Sequence, residues 1–209
     1  MRLTKLGHAC LLLEDADARL LLDPGTFSSG FEGLDGLTGV LITHQHADHL
    51  DLDRLLPVLE RNPEARVFAD EASAALVADR GVGVTPVHAG DTLALGTEVS
   101  VVGRDHAVIH PDIPIVPNVG YLVGGRFLHP GDAYTVPEAE VEVLGMPTGA
   151  PWLKTEEAVD YLRAVAPRTA VPIHDGQLSA PEVWLRQVRT LAPEGTKLDV
   201  VDNGTTRTL

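Results

Sequence analysis

Three imidazoles and a carboxylate crowd into six residues, His44-Gln45-His46-Ala47-Asp48-His49, and few chains can fold around such a run without a cation. Each of these side chains carries polar atoms that cost free energy when buried unpaired. Imidazole and carboxylate are ligands that suit zinc, manganese or iron. A solvated His-rich loop is the competing reading, and the flanking residues argue against it. Gly39-Val40-Leu41-Ile42-Thr43 is a short apolar, β-branched run of the kind that forms a buried strand. Leu50-Asp51-Leu52-Asp53-Arg54-Leu55-Leu56 repeats Leu at helical spacing with acids in the first turn. The run is therefore the loop at the carboxyl end of a strand, where layered α/β proteins place their sites. In an extended segment His44 and His46 share a face, while Asp48 and His49 lie where the chain turns into the helix. The spacing offers two ligands to one ion and two to another, and adjacent ions could share a bridging water or hydroxide.

The 209 residues predict one domain, 1–209, with a large core. The formal charge of -14 disfavours nucleic acid, whose binding depends on Lys and Arg. No apolar stretch approaches a membrane span. Met1 to Glu14 lacks a long apolar region before His8, so it reads as a first strand rather than an export signal. The one cysteine, Cys10, forbids an internal disulfide and fits a small buried hydrophobe in a reducing cytoplasm.

Further along, Leu20-Leu21-Leu22 ends in the turn Asp23-Pro24-Gly25, and Arg66–Ala69 is a strand. Glu71 to Arg80 is an Ala-rich helix closed by Gly81. Thr92–Gly96 with Glu98–Val102 makes one hairpin; Val119–Val123 and Arg126–His129, joined by Gly124-Gly125, make another. Thr155 caps a helix running to about Ala166, Val171-Pro172-Ile173 is a strand, and Ser179 with Glu182 forms a capping box for the last helix. Helices interleave with two groups of strands, which predicts an α/β protein with two sheets covered by helices.

Three further metal-binding residues sit at strand ends. His106 follows Val99–Val102, Asp132 follows Leu128-His129-Pro130-Gly131, and His174 follows Val171-Pro172-Ile173. Singly each reads as a cap or surface group; together, after the His run, they read as ligands. His110 competes with His106, which is nearer its strand end; otherwise His110 sits on a loop and touches substrate. His8 is either a partner to the ligands or a core histidine. His129 reads as structural, His88 as surface, and Trp152 as a packed aromatic.

From Leu6-Gly7-His8-Ala9 through Asp23-Pro24, the His-x-His-x-Asp-His run, Gly131-Asp132 and Pro172-Ile173-His174, the chain resembles the metallo-β-lactamase fold superfamily. Within it, the opening residues and the helix start Thr155-Glu156-Glu157-Ala158 resemble small stand-alone hydrolases related to ascorbate-phosphate lactonase and the N-acylphosphatidylethanolamine phospholipase. The resemblance implies a four-layer αββα sandwich with two mixed β-sheets. It implies that His44, His46 and His106 hold one metal, Asp48, His49 and His174 a second, and Asp132 both. It gives Asp23 the part of orienting a ligating His, and makes Tyr134 a donor to a developing oxyanion, with simple packing as the alternative. Dimers or larger homo-oligomers are implied for this group.

The expected activity is that of a binuclear metal-dependent hydrolase acting on a small-molecule ester, lactone or phosphodiester. Two divalent ions about 3.5–4 Å apart make hydroxide available near neutral pH, with Asp48 orienting it. Zinc is the first choice, manganese or iron the alternatives. A mononuclear iron oxidoreductase of the persulfide dioxygenase kind, or a thioesterase, shares the His motif; a non-enzymatic metal-stabilised domain is a third class.

Overall fold

The computed structural model describes residues 1–209. The first sheet has the order β14 (Thr206–Thr208), β1 (Arg2–Lys5), β2 (Leu11–Asp15), β3 (Ala18–Leu22), β4 (Gly39–Ile42), β5 (Arg66–Ala69), β6 (Val84–Pro86). The second has the order β13 (Lys197–Leu198), β12 (Thr169–Ile173), β11 (Val143–Pro147), β10 (Phe127–His129), β9 (Gly120–Val123), β8 (Glu98–Val102), β7 (Thr92–Ala94). Both are mixed. In each, one half pairs antiparallel and the other parallel, with the change at β3 and at β10.

Alternation along the strands builds the layers. Leu11, Leu13, Leu20, Leu22, Leu41, Tyr121, Val123, Phe127, Val171 and Ile173 meet between the sheets. The intervening Leu12, Leu21, Val40 and Ile42 face outward, under α1 (Leu52–Arg61) and α2 (Glu71–Asp79). Leu122, Leu128, Leu144 and Ala170 do the same under α3 (Thr155–Val165) and α4 (Pro181–Leu191). The result is the expected four-layer αββα sandwich. Its strands carry apolar residues on both faces, as strands buried between two layers must. Tyr121 ties the two sheets together, its hydroxyl donating to the Ile42 carbonyl at 2.8 Å, two residues before His44.

Several local expectations need correction. The opening segment is two antiparallel strands, not one, because Gly7 and His8 turn the chain with φ of 101° and 52°. Thr155 is the first residue of α3, and Lys154 occupies the cap without a side-chain bond. The Ser179–Glu182 capping box does not form; Ala180 takes the cap position and Pro181 starts α4, a position whose missing N–H costs nothing. The Gly124-Gly125 hairpin forms as read, with φ near +60° at both glycines.

Pro172 lies in β12 beyond the point where the two-residue β13 stops pairing, so its lack of an N–H breaks no ladder there. Its carbonyl accepts from the buried Lys5 ammonium at 3.0 Å, which also pairs with Asp175 at 2.5 Å. Lys5 thereby pins the first sheet to the loop that follows β12. Lys5→Met should destabilise the metal-free protein by about 3 kcal/mol, because it strands the Asp175 charge; urea unfolding measures it.

Candidate metal centre

One edge of both sheets gathers every strand end named above. The β4–α1 loop supplies His44, His46, Asp48 and His49; the turns after β8, β10 and β12 bring His106, Asp132 and His174. Two groups result, each with ligand atoms within 4.8 Å of one another: His44, His46, His106 and Asp132, and His8, Asp48, His49 and His174. Asp132 faces both. Its Oδ2 is 3.4 Å from His106 Nε2 and 3.0 Å from His174 Nε2, and its Oδ1 is 3.1 Å from His49 Nε2. The structure brings in His106 and leaves His110 outside, 61% exposed beside Asp112.

Hydrogen bonds on the far side of the rings fix their tautomers. His49 Nδ1 meets Asp23 Oδ2 at 2.7 Å, His106 Nδ1 the Ala107 carbonyl at 2.5 Å, and His174 Nδ1 the Gly149 carbonyl at 2.5 Å. All three partners only accept, so each Nδ1 carries the hydrogen. The Thr43 hydroxyl donates to Asp23 at 2.8 Å, so it accepts from His44 Nδ1 at 3.0 Å. With neutral rings, four Nε2 lone pairs then point inward. His49 Nε2, His106 Nε2, His174 Nε2 and Asp132 Oδ1 are buried without an aligned hydrogen-bond partner. Orphaned acceptors converging on shared points fit divalent cations and little else.

His8 is built the other way. The Gly176 N–H donates to its Nδ1 at 3.1 Å, so its hydrogen sits on Nε2 and is aimed at Asp48 Oδ2, 3.1 Å away. This histidine is a partner of Asp48, not a lone pair for a metal. Burial lowers the His8 pKa despite that carboxylate, which keeps the ring neutral.

Charge is balanced in the same place. Burial opposes ionisation of Asp132, but the charge on His49 and the nearby imidazoles of His106 and His174 outweigh it and hold the carboxyl well below its usual range. Asp48 is likewise held ionised against its burial by His174 and His8. Burial, reinforced by His49, drives His44 well below the usual imidazole value. Burial also works against charge on His174, yet its hydrogen bonds to Asp132 and Asp48 raise it to about 9. Protons on His49 and His174 thus stand where cations would otherwise neutralise the carboxylates.

The supporting residues divide into those legible beforehand and those not. Asp23, fully buried, accepts from the Thr43 backbone and hydroxyl as well as from His49. His129 is structural as read: Nε2 meets the Ala9 carbonyl at 2.9 Å and Nδ1 accepts from Gly131. His88 is exposed. Trp152 does more than pack, since its Nε1 donates to Asp132 Oδ2 at 3.0 Å. Tyr134 stacks between Trp152 and Tyr161, its hydroxyl without a partner. Asn118, unsuspected from sequence, accepts from Asp132 N and donates to the Pro130 carbonyl, both at 2.9 Å. Gly131 permits this turn: its φ is +63°, and a Cβ there would sit 2.3 Å from Asn118 Oδ1.

A family model, the β-lactamase superfamily domain, matches residues 2–174. The chain belongs to the metallo-β-lactamase superfamily, among its metal-dependent hydrolases. Within that superfamily it is 54% identical to protein Rv0786c of Mycobacterium tuberculosis over 87% of each chain. It is 27% identical to a UPF0173 metal-dependent hydrolase of Alkaliphilus metalliredigens, over 91% of this chain and 94% of that one. A solved metallo hydrolase from Ignicoccus hospitalis, Igni18, superposes with a TM-score of 0.76 at 20% identity, covering 99% of this chain and 97% of that one.

Two outcomes follow for the site. Because His174 holds its proton up to about pH 9, a metal must displace that proton below this pH, so metal affinity should rise with pH until about 9. Calorimetry of zinc binding in buffers of different ionisation enthalpy should show proton release at neutral pH. Asp23→Asn, which frees His49 to adopt the wrong tautomer, should weaken metal binding about 10–100-fold in competition with a chelating dye.

Proposed function

We propose that this chain is a binuclear metal-dependent hydrolase acting on a small ester, lactone or phosphodiester, with residues 1–209 as one catalytic domain. The observation that supports this most is Asp132 lying within 3.4 Å of ligand nitrogens from both groups. On this reading His44, His46 and His106 hold one divalent ion, Asp48, His49 and His174 the other, and Asp132 both. When bound, the two ions supply an ionised water near neutral pH and polarise the reacting carbonyl or phosphoryl oxygen. Zinc suits the nitrogen and oxygen donors, and manganese or iron also fit them. Two complete groups favour hydrolysis over a mononuclear iron oxidoreductase, which needs only one.

The chain's own groups do the positioning. Asp48 lies at the open side, 18% exposed, with one oxygen held by the His8 Nε2–H at 3.1 Å. Kept ionised there, it can accept a hydrogen bond from a water and orient it. Trp152 donates to Asp132 Oδ2 and so limits how that carboxylate can rotate. No helix is long and apolar enough to cross a membrane, and the lone buried Cys10 suits a reducing cytoplasm.

Asp132→Ala should lose both ions and all hydrolysis, read by elemental analysis beside turnover; a fully metallated, active variant contradicts the shared role. His8→Phe keeps an aromatic ring and removes the donor. It should lower kcat about tenfold or more while the His44 group keeps its ion, and unchanged kcat would remove His8 from the mechanism.

A further inference from the structure

The loop between His106 and Asn118 is aliphatic where a surface loop is usually polar. Val108, Ile109, Ile113, Ile115 and Val116 fall within nine residues; Val108, Ile113 and Ile115 are 55%, 47% and 55% exposed. Phe27, 49% exposed, packs its ring edge against His8, with centroids 5.3 Å apart. Four of the eight exposed large hydrophobic residues in the chain therefore border the metal-ligand cluster, a concentration that marks a binding surface rather than scatter.

Position joins this surface to the chemistry. His46 and His106 line one small cleft with Ile109, Ile113, Ile115 and Val116, and no Lys or Arg borders it. The one charged residue between 107 and 117, Asp112, is acidic, and Asp105 at the loop's base is already paired with Arg104 at 2.8 Å. The cleft has room for about one water molecule, so an aliphatic tail must part these side chains to enter. The loop is arranged to allow it. Its base is fixed by His106 N donating to the Val116 carbonyl at 3.0 Å and by the bridge between Asp105 and Pro117. From 108 to 115 every hydrogen bond is internal: Ile113 N to the His110 carbonyl and Asp112 N to His110 Nδ1.

Resting on the hydrolytic centre proposed above, we propose that the substrate is an ester or lactone with an uncharged aliphatic tail, and that residues 108–116 close over that tail. The reacting carbonyl faces the metal-ligand cluster, and the tail displaces Ile113 and Ile115 from each other into the cleft beside His46. A second anionic group on the tail finds no Lys or Arg in the cleft and meets Asp112 on the loop.

The test uses the zinc-loaded full chain with p-nitrophenyl esters from acetate to hexanoate, and with the hexanoate analogue carrying a terminal carboxylate. kcat/KM should rise about threefold to fourfold per added methylene, and the terminal carboxylate should cost at least about tenfold. The double variant Ile113→Ser/Ile115→Ser should flatten the chain-length series while keeping its zinc content and melting temperature. Calorimetric binding of octanoate against acetate reads the same cleft without turnover. Tighter octanoate binding, weakened in the double variant, supports the tail site even if no ester is hydrolysed, and that combination sinks the hydrolase reading instead. Equal kcat/KM across the series with equal binding of the two acids overturns the proposal, as does a chain-length preference that the double variant retains.

Discussion

Four imidazoles anchored through Nδ1, with their Nε2 atoms turned toward two carboxylates, are the constraint on which the rest of this molecule depends. Each ring has given its outward side to a fixed acceptor: Asp23, the Thr43 hydroxyl, or a carbonyl at Ala107 or Gly149. What remains points inward: Nε2 of His49, His106 and His174 is buried and unpartnered, and that of His44 meets only His46 Nδ1 at 3.0 Å. Such atoms are costly in an apolar interior unless something positive meets them. In the free chain, protons on His49 and His174 serve; divalent ions would serve better, and leave water able to react.

The sandwich makes this arrangement possible. Two sheets whose strand ends reach the same edge let one loop deliver four side chains and five other segments one each, over a packed floor that includes Leu22, Leu41, Tyr121 and Ile173. Three of the five non-glycine residues with positive φ, His8, Asp23 and His174, stand at this edge. Strain of that kind costs on the order of 1–3 kcal/mol per residue and persists because neighbours hold it. His174 N bonds to the His8 carbonyl, Lys5 holds the residue after His174, and Asp23 is held by Thr43.

Much of this was legible in the sequence, for a physical reason. Ligands cluster where strands end, and a short apolar run followed by His or Asp marks a strand end without knowledge of its partner. That logic singled out His106, Asp132 and His174, which the structure brings to one edge, and it found the two sheets through their apolar runs. It could not find the donors that arrive from far along the chain. Gly176 sets the tautomer of His8 across 168 residues and Lys5 reaches Asp175 across 170, and neither pairing leaves a local pattern. Trp152 looked like a packing residue because an indole N–H has no sequence signature for the carboxylate it meets. The capping box failed because Pro181 started the helix one step later than the Ser-x-x-Glu spacing required.

The central claim is that one carboxylate, Asp132, joins two metal ions. Anomalous diffraction at the zinc edge, on crystals of the zinc-loaded protein, tests it most directly. Two peaks about 3.5–4 Å apart, one among His44, His46 and His106 and one among Asp48, His49 and His174, with Asp132 between them, are the predicted result. A single peak, or two peaks with Asp132 turned away from one of them, would contradict it.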